Sequence, residues 1–468
     1  MRSVFDAFVG TNFDPVFSDI AVAPWAEYIA HIDLETHQKQ ARAAIHEVVR
    51  NAQYPLPSQR IALIEGRAGF GKTHAIVTEL WKLSREGAVY PAIMQLSVKL
   101  APADISLWML RATIEELSKT DFKDAQNRTP LKRLADGLWE HAQPGRRQAY
   151  KNALEQGDDS QALALARTAA PTIHANLKDR AVRRDHEPII AALLLAADDA
   201  SYAFTNWLRG GAQEVRLGNY VLPALTSEDN RRQTLLSIAT LAAATGAPLV
   251  LVFDQIEAAS RVADHAHLGK LIASAVQLVE HNAVGTGVII SALRDTFNIV
   301  RGEHLEASFV DRIENGIAPV ALEAPKDGEL RGVIDKRLTY LLELSGLEGE
   351  RSIFQKMVPD WLLASAGTTM FRPVLQSVRN YRNACREAGR FLDQHEYRSG
   401  GPTQPDDETH VPEEEFEKLW QDAIDADVGA VANILTPEKA DLFHWLAENV
   451  ADELPQIASL TVERMTLE

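Results

Sequence analysis

The chain has 468 residues, of which 46% are hydrophobic and 24% are charged, and its formal net charge is −17. A chain of this length accommodates several domains, and its acidic balance argues against a surface that coats nucleic acid, while leaving room for a local basic patch. The single cysteine, Cys385, excludes an internal disulfide framework and fits a reducing compartment. The first residues lack the apolar core of a signal peptide, so we expect a cytoplasmic location.

The chain begins with a segment that has no regular pattern and continues into a helix. Residues 1–35 mix aromatic and acidic side chains with Pro15 and Pro24, and we expect an irregular arm. Residues 36–52 carry apolar side chains at helical spacing, which predicts an amphipathic helix. This helix leads to the apolar run Ile61–Glu65, which is predicted as a buried strand.

A glycine-rich loop follows this strand and is the most informative part of the chain. Residues Gly66–Thr73 have the pattern G-x-x-x-x-G-K-T, and an apolar helix-like segment comes next. A strand, a glycine loop and a helix in this order form a phosphate cradle, because the glycines let several N–H groups point at one anion and the helix adds its positive N-terminal end. We expect Lys72 to reach the β- and γ-phosphates and the Thr73 hydroxyl to bind Mg²⁺. The residues predicted to bind the nucleotide are Gly66, Arg67, Ala68, Gly69, Phe70, Gly71, Lys72, Thr73 and His74.

Beyond the loop the sequence predicts one more strand and then a long helical region. β-Favouring residues cluster in Tyr90–Leu100, which is predicted as a strand. Residues 101–232 are rich in Ala, Leu, Arg and Asp at helical spacing, and we expect a helical insertion there. Its interspersed charges fit either a solvated helix surface or a face that docks a partner. The predicted helical stretches are Ser106–Leu117, Leu131–Ala142, Gln161–Ala175 and Pro188–Trp207.

One uncharged run has the length of a membrane span. Residues 233–253 carry no charge and are long enough to cross a bilayer. Polar and turn residues, among them Gly246 and Pro248, interrupt the run. We therefore predict a helix at 234–244, a turn and a buried strand at 249–253, and we expect no membrane span.

An acidic residue, Asp254, follows the predicted strand at 249–253. A buried parallel strand that ends in an acid places the carboxylate at the C-terminal edge of the sheet, where the glycine loop also lies. Asp254 is thus expected to hold Mg²⁺, directly or through water. The next predicted strand, Gly287–Leu293, ends near Ser291 and Arg294, and either side chain could reach the γ-phosphate.

Several arginines later in the chain are candidates for phosphate contacts or for docking. Arg312 precedes a predicted strand at Ile317–Leu322, and in a ring it could enter the neighbouring nucleotide site as an arginine finger. Arg372 lies in the first turn of a predicted helix, where a lid could bring it to the phosphates. A surface position is the alternative for both. The same helix carries a basic stripe that could face solvent, acidic neighbours, an adjacent protomer or DNA, and its members are Arg379, Arg382, Arg386 and Arg390.

Taken in order, these motifs resemble those of the AAA+ ATPases, in the form seen in the origin-recognition and initiator-like prokaryotic clade. Gly66–Thr73 matches the Walker A motif, and Leu249–Asp254 matches the Walker B motif. The resemblance also assigns three single residues to sensor 1, the arginine finger and sensor 2, and these are Ser291, Arg312 and Arg372. It implies ATP and Mg²⁺ as cofactors and a Mg²⁺-dependent ATPase activity. No N-K-x-D motif of the kind that recognises guanine occurs in the chain.

The resemblance implies an α/β fold with a parallel-sheet P-loop NTPase core, a large helical insertion, a helical lid domain and a small, mostly helical C-terminal segment. It covers residues 36–395 and further implies a homo-oligomer or a subunit of a multiprotein complex, with DNA as a partner left open and no membrane partner. The expected domains are an arm at 1–35, the ATPase core at 36–325 with the insertion at 101–232, the lid at 326–395, a linker at 396–415 and the C-terminal segment at 416–468.

One position departs from the family pattern. Most AAA+ proteins have a glutamate directly after the Walker B aspartate, but here the residue after Asp254 is Gln255, which cannot act as a base. Glu257 fits a D-x-x-E form of the motif, and the resemblance therefore implies that Glu257 positions the attacking water. If it does not, hydrolysis would be slow and the protein would act as an ATP-occupied switch.

A narrower resemblance concerns Asn206–Gly211 and Leu217–Gly218, which precede a helix and the Walker B strand. This arrangement is similar to ATP-binding proteins of BREX-type phage-defence operons in bacteria and implies a role in antiviral defence. The leading hypothesis is an ATPase that drives conformational or assembly changes in a macromolecular partner. The alternatives are a weakly hydrolysing switch or scaffold subunit, a DNA-loaded initiator-type motor, and a kinase that acts on a small molecule.

Overall fold

A computed structural model gives the architecture of the chain. It describes residues 2–10, 33–35, 37–54, 59–95, 105–120, 122–198, 200, 202–218, 220–256, 265–281, 284–351, 358 and 371–399. Within these residues a five-stranded parallel sheet carries helices on both faces. The predicted α/β class is confirmed.

Strands and helices of the described residues are numbered in chain order. The strands are β1 (Ile61–Glu65), β2 (Tyr90–Gln95), β3 (Val215–Leu217), β4 (Tyr220–Leu222), β5 (Leu249–Asp254), β6 (Thr286–Ala292) and β7 (Val320–Ala321). The α-helices are α1 (Arg2–Val9), α2 (Lys39–Asn51), α3 (Lys72–Arg85), α4 (Ile105–Ser118), α5 (Pro130–Trp139), α6 (Arg146–Glu155), α7 (Asp159–Leu177), α8 (Glu187–Ala196), α9 (Tyr202–Leu208), α10 (Glu228–Ala244), α11 (His265–His281), α12 (Arg294–Glu303), α13 (Ala307–Glu314), α14 (Asp327–Ser345) and α15 (Phe371–Ser399).

The main sheet is parallel throughout, with the strand order β2-β5-β6-β1-β7. Every residue of β1, β5 and β6 is buried, as expected for parallel strands that are covered on both faces. Strand β6 comes after β1 and β5 in the chain but is inserted between them in the sheet. The C-terminal end of β6 therefore lies between the C-terminal ends of β1 and β5.

Alternate residues of these strands contribute to two cores, one on each face of the sheet. On one face, Ile64, Val252 and Ile289 pack with helices α2 and α3. On the other face, Leu63 and Phe253 pack with α11 and with helices from the region between β2 and β5. Helix α3, which begins at the glycine loop, therefore covers the face to which the even-numbered residues of β5 point.

The region between β2 and β5 is mostly helical, as predicted, and contains α4 to α10. The sequence predicts one helical stretch at Pro188–Trp207, but two helices, α8 and α9, occupy it. Strands β3 and β4 form an antiparallel hairpin that the sequence does not predict. Each has three residues, which is too short for an alternating pattern to stand out.

Two predicted strands have different bounds in the structure. The predicted strand Tyr90–Leu100 is β2 as far as Gln95, and residues 96–100 lie outside the described residues. The predicted strand Ile317–Leu322 reduces to the two residues of β7, which pair with the end of β1. Ile317 and Leu322 lie outside the strand but are buried in the core, so the apolar run corresponds to core residues on both sides of β7.

The prediction of an irregular arm is wrong for Arg2–Val9, which form helix α1. Two arginines of α15 bind its C-terminal end: Arg382 Nε donates to the Phe8 carbonyl at 2.7 Å, and Arg386 Nε donates to the Val9 carbonyl at 2.6 Å. Cations favour the C-terminal end of a helix because its last carbonyl groups have no partner within the helix. The local sequence could not predict this contact, because the partner of Phe8 lies more than 370 positions away.

The same contacts account for Arg382 and Arg386 of the predicted basic stripe, and the side chain of Arg390 lies outside the described part of the chain. Arg379 is exposed, as a solvated face predicts, but Arg382 is 0% exposed and holds α1. Helix α15 continues to Ser399, so the linker expected from residue 396 does not begin there, and residues 400–468 with the predicted C-terminal helices and tail lie outside the described residues.

The uncharged run at 233–253 forms the end of α10, a turn and β5, which confirms the predicted helix, turn and strand. None of the described helices combines the length and apolar character that a membrane span needs. Residue contacts group Met1–Leu392 into one compact unit, which includes the segments expected as core and lid up to that residue.

Candidate functional site

The glycine loop, residues 66–71, joins β1 to α3 at the C-terminal edge of the sheet. Gly69 and Gly71 have φ values of 83° and 86°, a left-handed conformation that glycine adopts without a clash from Cβ. Gly71 is the N-cap residue of α3 and provides no side-chain hydrogen bond to the first turn. The N–H groups of that turn therefore lack a side-chain cap and are suited to an anion.

Lys72 is the first residue of α3, and its side chain folds back on the loop. The Nζ atom donates to the carbonyl oxygens of Gly66 at 2.8 Å and of Arg67 at 3.2 Å. The residue is 7% exposed. The loop thus holds a cation next to the uncapped end of a helix, and both features favour a bound anion.

Thr73 and Asp254 connect the start of α3 to the end of β5. The Thr73 Oγ1 hydroxyl donates to Asp254 Oδ2 at 2.7 Å. Asp254 is 1% exposed, and its Oδ1 atom has no hydrogen-bond partner among the described residues. An unpartnered oxygen on a buried carboxylate is costly unless a cation or a ligand satisfies it. The structure thus brings together the two residues that the sequence predicts to hold Mg²⁺.

Ser291 lies beside Asp254 on the neighbouring strand. The register pairs Ile290 with Phe253 and Ser291 with Ile64, so Ser291 is level with Asp254 and shares the face covered by α3. Ser291 is 0% exposed, and its Oγ atom has no hydrogen-bond partner in the described part of the chain. Two unpartnered oxygens therefore lie at adjacent strand ends near Thr73.

Segments from distant parts of the chain cover the outer side of the loop. Gln38 Nε2 donates to the Phe70 carbonyl at 3.2 Å, and the Phe371 N–H donates to the Gly69 carbonyl at 3.3 Å. The rings of His37 and Phe371 meet edge to face with centroids 4.8 Å apart. Helix α15 therefore begins directly at the glycine loop, and Arg372, its second residue, has its backbone there.

A buried charge network, which no sequence pattern indicates, links the chain before α2 to α3. Asp33 Oδ1 and Oδ2 accept from Arg42 at 2.6 and 3.1 Å. Asp33 also accepts from His74 at 3.2 Å and from Lys82 at 3.1 Å. No local pattern marks Asp33, because its partners lie on two helices that only the fold brings together.

Burial alone would raise the pKa of Asp33, but hydrogen bonds and charge from His74 and Arg42 outweigh it and hold that pKa well below its usual range. Burial lowers the pKa of His74, and the hydrogen bond and charge of Asp33 only partly oppose this. Because His74 follows Thr73 directly in α3, the network anchors the helix turn that carries Lys72 and Thr73.

Two other predicted residues, Arg312 and Arg294, pair with acids of the same chain, and a third, Glu257, is not among the described residues. Arg312 is on α13, where it pairs with Glu280 of α11 in the same chain. Arg294 begins α12 and pairs with Glu65, the last residue of β1, at 3.7 Å. Burial raises the pKa of Glu65, and Arg294 partly offsets it. Glu257 lies outside the described residues.

The oxygen atoms around Asp254 suit a cation whose coordination is completed by phosphate and water. Among the described residues no group of three or more His, Cys, Asp or Glu side chains is arranged to hold a metal ion. Mg²⁺ commonly binds one or two protein oxygens and takes its other ligands from phosphates and water. One buried carboxylate with a free oxygen and an adjacent threonine hydroxyl fit this requirement.

No protein-family model, no curated protein and no solved structure matches this chain. The candidate site therefore stands on its own geometry: a glycine loop, an uncapped helix start, a lysine on the loop and a carboxylate bonded to the next threonine.

Proposed function

We propose that the chain binds Mg²⁺–ATP at the glycine loop and hydrolyses it, as a member of the AAA+ P-loop ATPases with a lid. The observation that carries the proposal is the hydrogen bond from Thr73 to Asp254. It joins the residue after the loop lysine to the buried acid at the end of a parallel strand, and these are the two side chains that a Mg²⁺–triphosphate site requires together.

The residues around the loop have distinct proposed roles. The N–H groups of the loop and of the first turn of α3 bind the phosphate oxygens. The Lys72 ammonium, now on the carbonyls of Gly66 and Arg67, moves to the β- and γ-phosphates when the nucleotide binds. Ser291 donates to a γ-phosphate oxygen from the strand end beside Asp254.

Thr73 and Asp254 would hold Mg²⁺, Asp254 directly or through water. The ion, when bound, neutralises charge that develops on the β- and γ-phosphate oxygens. The free Asp254 Oδ1 atom and its near-complete burial support this assignment.

Arg372 and Arg312 are proposed to act from a lid and from a neighbouring protomer. The hydrogen bond between the Phe371 N–H and the Gly69 carbonyl supports a role for Arg372 at the phosphates. Arg312 pairs with Glu280 of its own chain, which fits a flank position from which it would enter the next site of a homo-oligomer. The D-x-x-E pattern gives Glu257 the role of positioning water.

The biological role that we propose is a cycle of conformational or assembly changes in a macromolecular complex, and the narrower sequence resemblance points to bacterial phage defence in the cytoplasm. The region between β2 and β5 offers the surface for partners. Its Arg133 donates to the carbonyls of Ser84 and Val89, at the far end of α3 and before β2. The C-terminal end of helix α3, which begins at the glycine loop, therefore contacts the insertion.

Phosphate release from Mg²⁺–ATP tests the enzymatic proposal. The wild-type chain is expected to turn over, and Lys72→Ala is expected to lower the rate at least about 100-fold. Lys336→Ala, on α14, serves as a lysine control and should behave as wild type. Equal turnover in wild type and Lys72→Ala would exclude the assigned site.

A non-catalytic switch or scaffold subunit is the second candidate, and Gln255 is the observation in its favour. It predicts nucleotide-dependent oligomerisation with negligible turnover, and brisk turnover of the chain alone would exclude it. A DNA-loaded motor would instead show ATPase activity that DNA stimulates and that salt suppresses steeply. The net charge of −17 weighs against the motor.

A further inference from the structure

Gln255, the residue directly after Asp254, has a backbone conformation that glutamine rarely adopts. Its φ is 56°, in the left-handed region, and only three other non-glycine residues in the described part of the chain have positive φ. One of these three, Gln38, contacts the glycine loop. Such conformations cost free energy and persist only where the surrounding structure holds them in place. They concentrate at functional sites, where the strain is part of the mechanism.

The surroundings of Gln255 fix it from both sides. Asp254 is 1% exposed and bonded to Thr73, and Ile256 is 0% exposed. Gln255 itself is half-buried, and its side-chain amide makes no hydrogen bond to any residue that the structure describes. Strand β5 ends at Asp254, and the left-handed backbone of Gln255 turns the chain away from the strand direction. Gln255 therefore lies at the sheet edge, next to the Thr73–Asp254 pair.

The side-chain amide of glutamine can orient a water molecule for attack on a phosphate. Its oxygen accepts a hydrogen bond from water and its nitrogen donates to a phosphate oxygen. Phosphoryl transfer passes through a loose transition state, so the attacking water must be oriented but need not lose its proton first. A residue that cannot act as a base can therefore still be the catalytic residue for hydrolysis.

We propose that Gln255 orients the attacking water, and this assignment rests on the proposed ATPase function. Gln255 then has the role that the D-x-x-E pattern gives to Glu257. The water oxygen forms a bond to the γ-phosphorus. The bond between the γ-phosphorus and the β–γ bridging oxygen breaks, and its electron pair stays on ADP. The proton of the water passes to an oxygen of the phosphate produced, and the amide is unchanged.

Gln255→Gly is the most informative variant, because glycine adopts the left-handed conformation without strain and only the amide is lost. Mg²⁺–ATP binding, measured by calorimetry, should stay within about threefold of wild type, while single-turnover hydrolysis should fall at least about 100-fold. Gln255→Asn, which retains an amide on a shorter chain, should fall between the two. Gln156→Ala, at an exposed glutamine directly after α6, is the matched control and should behave as wild type.

Two results would overturn the assignment, and the first of them would leave the proposed ATPase function standing. Hydrolysis by Gln255→Gly within about threefold of wild type would show that the left-handed glutamine serves only the turn. A wild-type chain that binds Mg²⁺–ATP but does not hydrolyse it would also exclude a water-orienting role. A folded wild-type chain that binds no Mg²⁺–ATP would instead remove the proposed function itself.

Discussion

Thr73 and Asp254 are 181 positions apart in the sequence, and the hydroxyl of the first donates to the carboxylate of the second at 2.7 Å. The parallel sheet brings them together, because the loop after β1 and the last residue of β5 lie at the same edge. Strand β6 between them adds Ser291 at the same level. The edge of the sheet therefore carries a hydroxyl, a carboxylate and a second hydroxyl from three distant segments.

The charge of Asp254 is expected to matter more than its hydrogen bond. Asp254→Asn keeps an oxygen that can accept from Thr73, so the fold should be retained, but it removes the negative charge that a hard cation prefers. Turnover should fall at least about 100-fold, and the Mg²⁺ concentration needed for half-maximal rate should rise. Phosphate release measured over a Mg²⁺ series checks this. Asp229→Asn, at an exposed acid on α10, is the control, and an equal effect in both variants would contradict the assignment.

The Asp33 network predicts a pH-dependent contribution to stability. The folded-state pKa of Asp33 lies below the value of about 3.9 for an unfolded chain, so the unfolded state binds more protons as the pH falls. The stability from Asp33 is therefore fully present above that unfolded value and is lost as the pH falls through the folded pKa. Asp33→Asn should lower the free energy of unfolding at pH 7 by about 1.5–3 kcal/mol, because buried Arg42 loses its charged hydrogen bonds to Asp33 but keeps its pair with Glu79.

Denaturant unfolding across an acid series measures this effect, and Glu35→Gln is its matched control. Glu35 contacts the same Lys82, but its side chain is 78% exposed, so its loss should change the unfolding free energy by less than about 1 kcal/mol. The unfolding free energy of Asp33→Asn should also vary less with pH below the usual aspartate range. Equal stability of the two variants at pH 7 would contradict a structural role for the network.

The attachment of α1 to α15 is expected to depend on Arg382, which bonds to α1, and not on Arg379, which is exposed on the same helix. Arg382→Ala removes hydrogen bonds to the carbonyls of Phe8 and Gly10, whereas Arg379→Ala changes an exposed side chain on the same helix. The first should lower the unfolding free energy by about 1.5–3 kcal/mol and speed proteolysis of the N-terminal helix. The second should change neither. Indistinguishable proteolysis patterns for the two variants would refute the docking contact.

Arg312 is expected to support hydrolysis in a neighbouring protomer. Arg312→Ala should bind Mg²⁺–ATP like wild type but lose turnover by about 10³-fold or more. Mixing it with Lys72→Ala should restore turnover, since one chain supplies the intact site and the other the arginine. Arg301→Ala, which breaks a comparable pair with Glu314, is the control. A mixture as inactive as its two components would contradict action in trans.

The sequence was sufficient to predict the features that lie within one stretch of chain, and insufficient for those that depend on tertiary packing. The pattern of Gly66–Thr73 and the apolar run before Asp254 each occupy one stretch of chain, so their chemistry could be predicted. The order of the strands, which puts Ser291 beside Asp254, depends on tertiary packing. The partners of Asp33 and the left-handed Gln255 likewise arise from contacts and backbone geometry that no nearby residue pattern encodes.

Calorimetric titration of Mg²⁺–ATP into the folded chain and into Lys72→Ala measures whether the glycine loop binds the nucleotide. We expect saturable binding to the wild-type chain, with one site per chain, and a loss of that binding when the loop lysine is removed. No uptake of Mg²⁺–ATP by the folded wild-type chain, or equally tight binding by Lys72→Ala, would exclude the glycine loop as the nucleotide site.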